Sequence, residues 1–406
     1  MRIFFSVGEP SGDLHGSNLI RHLAAADPTI EFVGFGGPKM KAAGCELLYD
    51  LTQMAVMFIT QVVANLKFFF GLVDQADDYF AANEIDAVVL IDYPGFNWHI
   101  AKKAKARGIP VYYYGVPQMW AWAPWRIRKI RKYVDHVLCK LPFEKDWFES
   151  RNCKAIYVGH PFFDEMTQLN LDSEFIQQAT DQLDLENKEL VLLLPGSRNQ
   201  EVERNLPTLI EAAEHIAADR PETAFAIGCF KESYAETANA LLKNSSLSNV
   251  GVWTDRTQEL MTSATCCMAC SGSVSLELLY HRKPTVIVYR IKRTLQLVIP
   301  FLLKTQYITL PNLMAAKDIR KTTWRNSDPK RDPMVMPEYV SVNSPAEKMA
   351  GDVLQWLEDP AKLEASIATL DQMAKSYAKP GATKRAADYL LDTLGVQKST
   401  ANTRAA

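Results

Sequence analysis

The chain has 406 residues, which is too many for one ordinary hydrophobic core and predicts two domains of about 150–200 residues each. Hydrophobic residues make up 48% of the sequence and charged residues 23%, as in a soluble globular protein, and the net charge of −2 argues against general nucleic-acid binding. The seven cysteines are odd in number and lie mostly in apolar runs, which indicates reduced thiols in a cytoplasmic protein rather than a disulfide framework.

Predicted strands and helices alternate from the N-terminus, beginning with a strand at Arg2 to Val7 and a helix at Leu14 to Ala25. Several strands are almost continuously apolar, which indicates parallel sheets covered by helices on both faces. Residues 162–187 are polar and helical and predict a connection, after which a second alternation starts at Leu190. The predicted fold is therefore α/β, with two doubly wound domains that face a central cleft and bind ligands at the carboxyl ends of their strands.

The loop after the first strand, VGEPSGD, predicts a cluster of polar side chains at this cleft, consisting of Glu9, Ser11, Asp13 and, in the first helical turn, His15. The loop lacks the G-x-G-x-x-G spacing of a dinucleotide fingerprint, so NAD binding is disfavoured. Helix capping is enough to explain Asp13, because an acid near a helix N-terminus suits the helix dipole. Glu9 has no such explanation, which favours a functional role.

The stretch LIDYPGFNWH places Asp92 at the end of an apolar strand, just before a turn at Pro94 and Gly95. A partly desolvated carboxylate at this position could act as a general base for a hydroxyl group. An Asx-type turn cap is the competing interpretation.

In the second half, LPGSRNQEVERN predicts a strand, a loop and a helix. Gly196 permits close approach of the backbone, Ser197 is predicted to cap the helix, and Arg198 offers a bidentate charge to a phosphate. The sequence contains no D-x-D motif for a metal-chelated diphosphate. Arg198 and the helix starts would therefore stabilise a leaving diphosphate, and no metal site is predicted.

The stretch TCCMACSGSVSLELLYHRKPTVIVYR predicts a buried strand, a Ser-Gly-Ser turn, a helix and a second strand. The turn leaves the N–H groups of Gly272 and Ser273 unpaired at a helix start, where an anion can bind. Glu277 lies one turn further along the same face and could accept hydrogen bonds from both hydroxyls of a ribose. An ordinary strand–turn–helix with a serine cap is the alternative.

Two aromatic stretches suggest a surface role. In VVANLKFFFGL (62–72), Phe68, Phe69 and Phe70 are consecutive, and one helix face cannot bury all three. In MWAWAPWRIRKIRK (119–132), three tryptophans adjoin a run of basic residues. Indoles beside cations suit an anionic membrane surface, whereas tryptophans in the core with a solvated basic helix are the competing interpretation.

Seven motifs occur in a fixed order: VGEPSGD (7–13), WAW (120–122), LPFEK (141–145), VGHP (158–161), LPGSR (194–198), SGSVSLE (271–277) and LPNL (310–313). Together they resemble the lipid-A-disaccharide synthase family, inverting glycosyltransferases of the GT-B class with two Rossmann-like domains. The resemblance covers residues 1 to 315. No transmembrane helix is expected, because no apolar run approaches 18 residues.

The resemblance implies transfer of 2,3-diacylglucosamine from UDP-2,3-diacylglucosamine to 2,3-diacylglucosamine 1-phosphate. The products would be the β-1,6-linked lipid A disaccharide 1-phosphate and UDP, formed without a cofactor or metal. It also implies peripheral association with the inner face of the cytoplasmic membrane, whose surface is anionic. Residues 1–165 would be the acceptor and membrane-side domain, 186–345 the UDP-sugar domain and 396–406 a frayed tail, and helices at about 350–395 would return to the first domain.

The resemblance assigns functional roles to individual residues of this chain, which fall into three groups. The catalytic candidates are Asp92, Glu9 and Asp13. The donor group comprises Gly196, Ser197, Arg198, Ser271, Gly272, Ser273, Glu277 and Asn312. The acceptor or membrane side comprises Ser11, His15, Asn97, Phe68, Phe69, Trp120, Trp122, Arg126 and Arg128.

The chain departs from the family pattern at the predicted base. The family often has D-x-P-D-F-N where this chain reads DYPGFN, so the second aspartate is Gly95 here. We therefore expect Asp92 to take the acceptor proton, with Glu9 as the second choice. The stretch that usually reads V-M-G-x-x-E-V in the family also differs here, because Phe58 and Gln61 follow Met57. Glu338, in MPEY, is aligned with the Pro-Glu pair that recurs in the family.

Two other functions remain open. UDP-sugar 2-epimerases share the two-domain architecture and the donor-site chemistry, so an isomerase is one alternative. The other is a nucleotide-sugar-binding protein without catalysis, which Gly95 suggests.

Overall fold

The computed structural model describes residues 1–56, 66–294, 296, 303–320 and 334–396. They form two compact units, one of Met1–Glu165 together with the chain from Lys379 onward, and one of Met166–Ala378. Each unit is built on a parallel sheet covered by helices, as the alternating sequence pattern predicts. Met57, Phe58 and Gln61, where the family pattern is altered, and the tail from residue 397 lie outside the described residues.

The first unit contains a seven-stranded sheet in the order β3-β2-β1-β4-β5-β6-β7, in which all pairs are parallel. Its strands are β1 (Arg2–Val7), β2 (Glu31–Gly36), β3 (Cys45–Asp50), β4 (Ala87–Ile91), β5 (Val111–Tyr114), β6 (His136–Cys139) and β7 (Ala155–Tyr157). Successive side chains of β1 enter cores on opposite faces. Phe4 packs 4.8 Å from Phe80 on one face, and Phe5 packs 6.2 Å from Phe32 on the other, measured between ring centroids.

The helices described in the N-terminal part of the first unit are α1 (Pro10–Ala26), α2 (Pro38–Ala42), α3 (Leu66–Ala82), α4 (Pro94–Ala106), α5 (Met119–Trp122), α6 (Ile127–Tyr133), α7 (Pro142–Glu149) and α8 (Phe162–Met166), with 3₁₀ turns at Leu51–Val56 and Pro124–Arg126. The boundary with the second unit falls within α8, after Glu165. The edge strand β3 was not predicted. Its residues, CELLYD, are mostly only partly buried, so they lack the continuous apolar pattern of the central strands.

The second unit contains a six-stranded parallel sheet in the order β10-β9-β8-β11-β12-β13. Its strands are β8 (Leu190–Leu194), β9 (Ala224–Cys229), β10 (Val250–Thr254), β11 (Cys266–Cys270), β12 (Thr285–Arg290) and β13 (Glu338–Ser341). The central strands β8 and β11 are buried at every residue. The edge strand β13 was not predicted, and most of its residues are only partly buried.

The helices described in the second unit are α9 (Ser173–Leu183), α10 (Asn199–Asp219), α11 (Glu232–Leu242), α12 (Thr257–Ser263), α13 (Val274–Tyr280), α14 (Leu310–Ala315), α15 (Ala346–Glu358) and α16 (Pro360–Tyr377). No helix within the described ranges is both long enough and apolar enough to cross a bilayer.

The C-terminal helices divide between the units. Helix α15 buries Met349 and Val353 in the core of the second unit, whereas α17 (Ala382–Thr393) buries Leu390 in the first. The N-terminal end of α17 is held by Asp164, whose carboxylate accepts the N–H groups of residues 381, 382 and 383. The expectation that residues from about 350 pack on the first domain is therefore corrected, because the apolar face of α15 covers the second sheet and the return begins at Lys379.

The strand orders fix where each unit can build a site. The order reverses between β1 and β4 in the first sheet and between β8 and β11 in the second. The loops after these strands diverge to opposite faces and leave a crevice at the carboxyl ends. Asp92 and the loop from Gly8 adjoin the first crevice, and Gly196 and Ser271 adjoin the second.

Candidate functional site

The turn after β4 holds Asp92 and Tyr93 in the left-handed region, with φ angles of 45° and 44°. Non-glycine residues rarely adopt this conformation, so neighbouring contacts must maintain it. The backbone carbonyl of Asp92 accepts hydrogen bonds from Asn97 Nδ2 and from the Tyr113 hydroxyl, each at 2.8 Å. Tyr93 rather than Asp92 occupies the position before α4, and no backbone N–H of the described residues donates to the Asp92 carboxylate, which argues against the interpretation of Asp92 as a turn cap.

The Asp92 carboxylate instead faces Lys140, with 3.4 Å between Oδ1 and Nζ. The two side chains are 27% and 19% exposed, respectively. Gly115, with φ 69°, lies between them, and a Cβ there would come within 2.9 Å of Lys140 Nζ and 3.1 Å of Asp92 Oδ1. The three residues follow β4, β5 and β6, so adjacent strand ends bring them together. The sequence analysis missed Lys140 and Gly115, which directly follow β6 and β5 in the structure.

Glu9 lies on the same edge of the sheet. It is exposed and occupies the position before α1, where its carbonyl accepts the Asp13 N–H at 2.9 Å. Burial raises the pKa of the nearby Tyr93, and the negative charge of Glu9 raises it further. The Tyr93 ring covers Gly8, where a Cβ would come within 2.3 Å of it. Glu9 and Asp92 therefore flank the switch point of the first sheet, from β1 and β4.

Asp13 does not face this crevice. Its carboxylate is buried and accepts the N–H groups of Gly37 (2.9 Å), Lys39 (3.0 Å) and Met40 (3.0 Å), which are at the start of α2. This corrects its assignment as a catalytic candidate. The capping interpretation was right in kind, but the Asp13 carboxylate caps the start of α2 rather than α1, the helix that contains Asp13.

Three predicted acceptor-side residues have different environments. Ser11 is exposed in the first turn of α1. His15 is mostly buried, with its Nδ1 3.3 Å from Glu165 Oε1. Asn97 is fully buried; its Oδ1 accepts the Ser6 hydroxyl at 2.6 Å, and its amide holds the turn of Asp92. Asn97 is therefore corrected from an acceptor-side contact to a buried residue that supports the turn of Asp92.

The phenylalanine stretch is only partly exposed. Phe68 is 38% and Phe70 49% exposed at the start of α3. Phe69 is buried, with its ring centroid 6.2 Å from that of Phe96. Phe69 is therefore corrected from a membrane-side residue to a core residue, because the helix turns its side chain toward the sheet.

The tryptophan stretch also divides between core and surface. Trp120 is buried, and its Nε1 donates to Glu144 Oε1 at 2.9 Å, so its assignment to the membrane side is corrected. Trp122 and Trp125 are 43% and 59% exposed. The Arg126 guanidinium lies 4.3 Å from the centre of the Trp122 ring. The surface part of this stretch is called the Trp–Arg patch below, and it consists of the exposed residues Trp122, Trp125 and Arg128 with the partly buried Arg126.

In the second unit, the loop after β8 approaches α10 closely at Gly196. Its φ is 119°, and a Cβ there would come within 2.8 Å of Glu201 Cβ. The N–H groups of Ser197 and Arg198 donate to Glu201 Oε2, both at 3.3 Å. Arg198 Nη1 lies 2.9 Å from Glu201 Oε1, although its side chain is 81% exposed. The sequence analysis missed Glu201, despite the capping-box spacing of three residues after Arg198.

Glu201 changes the prediction for this loop. Ser197 is not the cap of α10, since Arg198 occupies that position and makes no side-chain cap bond. A phosphate at these amides would exchange with the Glu201 carboxylate, which already satisfies them. The exposed Arg198 can turn toward such an anion at little steric cost.

The Ser-Gly-Ser turn after β11 is open, as predicted. The Ser271 N–H donates to the Val288 carbonyl at 3.1 Å. The N–H groups of Gly272 and Ser273 have no acceptor among the residues that the structure describes. A Cβ at Gly272 would have no neighbour within 4 Å, and Ser273 makes no side-chain cap bond. The serine-cap interpretation therefore has no support in the geometry.

Glu277 belongs to a hydrogen-bonded chain of three side chains. Its Oε2 accepts Gln258 Nε2 at 2.5 Å, and Gln258 Oε1 lies 2.8 Å from His281 Nε2. Burial lowers the pKa of His281 to about 4, and the charges of Lys283 and Arg282 act in the same direction. His281 is therefore neutral near pH 7, and the chain orients the Glu277 carboxylate.

Asn312 is buried and uses both ends of its amide within the protein. Its Oδ1 accepts the N–H groups of Val335 (2.8 Å) and Met336 (2.9 Å), and its Nδ2 donates to Glu338 Oε2 at 3.2 Å. Glu338 also accepts the Thr309 N–H at 3.0 Å, and burial raises its pKa. Asn312 is therefore corrected from a donor contact to a structural residue that ties α14 to the chain before β13.

The described residues contain no group of three or more His, Cys, Asp or Glu side chains arranged to hold a metal ion.

Sequence comparison gives a consistent result over almost the whole chain. The family model described as lipid-A-disaccharide synthetase matches residues 3–352. A lipid-A-disaccharide synthase of Geobacter sulfurreducens is 31% identical over 401 residues, covering 98% of each chain. One of Myxococcus xanthus is 31% identical over 393 residues, covering 97% of each.

Solved structures share the fold at low sequence identity. The UDP-GlcNAc 2-epimerase of Neisseria meningitidis, bound to UDP-GlcNAc, has a TM-score of 0.62 and 14% identity, covering 97% of this chain and 100% of that one. The HepE protein of Anabaena, in complex with UDP, has a TM-score of 0.55 and 13% identity, covering 98% and 100%. These likenesses show the two-domain fold alone.

Proposed function

The chain belongs to the lipid-A-disaccharide synthetase family of glycosyltransferases, and on that premise we propose that it joins UDP-2,3-diacylglucosamine to 2,3-diacylglucosamine 1-phosphate. The products are the β-1,6-linked lipid A disaccharide 1-phosphate and UDP. Family membership over nearly the full length is the observation that carries this proposal. The structural likeness to an epimerase, at 14% identity, does not favour an isomerase.

The proposed reaction is a single inverting displacement. The 6-hydroxyl oxygen of the acceptor attacks the anomeric carbon of the donor sugar, and the bond from that carbon to the UDP oxygen breaks. UDP leaves with the electron pair, and a carboxylate takes the hydroxyl proton. Asp92 is the proposed base, because it is partly exposed at the switch point of the first sheet and its turn is held by Asn97 and Tyr113. Glu9 is the second choice.

The second unit is proposed to bind the donor. The open N–H groups of Gly272 and Ser273 and the exposed Arg198 guanidinium suit a diphosphate, and together they would offset the charge that develops on UDP. Glu277, oriented by Gln258, would accept hydrogen bonds from the ribose hydroxyls. On this proposal the donated hydrogen bonds and the Arg198 charge do the work of a metal ion, and no cofactor takes part.

The first unit is proposed to lie against the inner face of the cytoplasmic membrane, where a diacylated acceptor would be found. The Trp–Arg patch supports this, because exposed indoles and neighbouring cations suit the interface of an anionic bilayer. The exposed rings of Phe68 and Phe70 supply further apolar area.

The test is release of UDP by the purified protein from both substrates in mild detergent with EDTA, with omission of the acceptor as the control. Acceptor-dependent release with a disaccharide product is expected. Tight UDP binding without product would support a nucleotide-sugar-binding protein instead, and a product that needs added metal would overturn metal independence. Release without an acceptor would indicate hydrolysis or isomerase chemistry.

A further inference from the structure

The ion pair between Lys140 and Asp92 is the contact on which a further role rests. Their side chains are 19% and 27% exposed, so solvent screens the pair less than an ordinary surface pair. The Asp92 backbone is held independently by Asn97 and Tyr113. The carboxylate can therefore move only by rotation of the Asp92 side chain, and in the structure it is turned toward Lys140.

Gly115 makes this contact possible. Its φ of 69° is a conformation that side chains rarely adopt, and a Cβ there would lie 2.9 Å from Lys140 Nζ and 3.1 Å from Asp92 Oδ1. The space between β4 and β6 is therefore kept clear by a residue without a side chain. A lysine at the end of β6 can reach across β5 only because of this gap.

We infer that Lys140 is a positioning residue for Asp92: its ammonium holds the carboxylate in one orientation at the end of β4, which borders the crevice. This inference rests on the proposed function of Asp92 as the base.

Other titratable groups also face the pair. They are Glu9 before α1, Tyr113 and Tyr114 of β5, Glu144 of α7, and His160 after β7, with His15, Asp164 and Glu165 beyond them. Burial holds the pKa of His160 well below its usual value and raises the pKa values of both tyrosines, so these three groups stay neutral near pH 7. Burial also raises the pKa of Glu144, which makes Glu144 the competing acid.

The experiment compares Lys140→Met, which keeps an unbranched side chain without the charge, with Lys140→Arg, which keeps the charge. The first readout is the split between kcat and KM. In Lys140→Met we expect kcat to fall roughly tenfold with the KM of both substrates little changed, because the base is present but no longer held in one orientation. Lys140→Arg should recover most of kcat. A lower kcat with a lower unfolding temperature and no recovery in Lys140→Arg would show a merely structural role, and an unchanged kcat would overturn the inference.

The second readout does not need activity. The χ1 rotamer populations of Asp92 are measured from three-bond couplings in isotopically labelled protein, and the Asp92 signals are identified by their absence in Asp92→Asn. One dominant rotamer should become a mixture in Lys140→Met and return in Lys140→Arg. Unchanged populations in Lys140→Met would overturn the inference whatever the activity. Changed populations in a protein that forms no disaccharide would support the pairing and reject the proposed function, so the two failures are distinct.

The kcat readout also separates Asp92 from Glu144. If Lys140→Met still lowers the residual kcat when it is combined with Asp92→Asn, Lys140 acts through Glu144 or another group, and the inference fails. No further loss of kcat in the double variant is the expected result.

Discussion

The Asp13 carboxylate accepts the N–H of Gly37 at 2.9 Å, from a loop 24 residues further along the chain. The same carboxylate accepts the N–H groups of Lys39 and Met40, so one buried side chain fixes the whole start of α2. The contact leaves no room for a larger residue at position 37, where a Cβ would lie 2.6 Å from Asp13 Oδ2. The loop that carries Glu9 is thereby joined to the strand beside it.

Replacing Asp13 by asparagine should lower stability rather than remove a reacting group. The amide retains one acceptor oxygen of two and loses the charge, which should lower the free energy of unfolding by about 1–3 kcal/mol. Urea unfolding measures this, with Ser11→Ala, at an exposed position in the same turn, as the control. Unchanged stability together with lost turnover would return Asp13 to the reacting centre.

A carboxylate can be restored at position 95 without steric conflict. A Cβ at Gly95 would have no neighbour within 4 Å, and the residue lies in the first turn of α4, where an acid suits the helix dipole. We expect Asp92→Asn to lower turnover by about a hundredfold or more, the usual contribution of a general base. Adding Gly95→Asp to that variant should recover part of the rate.

Turnover of these two variants is compared at fixed, saturating substrate, with thermal unfolding as the control for folding. Near-full activity in Asp92→Asn alone would reject Asp92 as the base. An inactive double variant with a normal unfolding temperature would show that position 95 does not face the acceptor hydroxyl in this chain.

Arg198→Ala should weaken donor binding. A charged hydrogen bond to a phosphate contributes about 1.5–3 kcal/mol, so the Kd for UDP should rise by roughly 10- to 100-fold, as measured by calorimetry. Arg320→Ala is the matched control, because Arg320 is 78% exposed and paired with a neighbouring acid, as Arg198 is. Equal effects of the two substitutions would mean that neither arginine contacts the diphosphate.

The Trp–Arg patch predicts binding to anionic vesicles. The double substitution Trp122→Ser and Trp125→Ser should weaken vesicle binding roughly tenfold, because it removes the exposed indoles that would enter the interface. Phe230→Ser is the control, since Phe230 is 63% exposed but lies in the second unit. Sedimentation with vesicles measures both. An equal loss in the control would indicate nonspecific hydrophobic adsorption.

His281 predicts a loss of stability in acid. Burial lowers its pKa from 6.5 to about 4, so the unfolded chain takes up this proton before the folded one does. The free energy of unfolding should therefore fall as the pH decreases from about 6.5 to about 4, by about 1–2 kcal/mol after allowance for partial exposure. His281→Gln should remove this contribution. Identical pH dependence in the two proteins would contradict the burial of a neutral His281.

The local hydrophobic pattern of the sequence was sufficient to predict much of the architecture. The apolar runs at β1, β4, β8 and β11 specify buried parallel strands, because only a strand covered on both faces is apolar at nearly every position. The position of Asp92 after such a strand, and the open turn at Gly272, followed from the same reasoning. The edge strands β3 and β13 were not predicted by this pattern, because they are only partly buried and lack a continuous apolar run.

Partners distant in the chain decided the rest. A polar residue at a strand end can face a ligand or satisfy a neighbouring loop, and the sequence nearby is the same in both cases. Asp13 and Asn312 bind backbone groups of other loops, and Trp120 donates to Glu144 inside the core. Lys140 reaches Asp92 across 48 residues of sequence. The sequence by itself determined the central strands, the two sheets and the family, because hydrophobic periodicity and apolar runs are local properties. Only the tertiary structure decided which polar side chains already have partners. Hydrogen bonds and ion pairs depend on which strand ends the sheet order brings together.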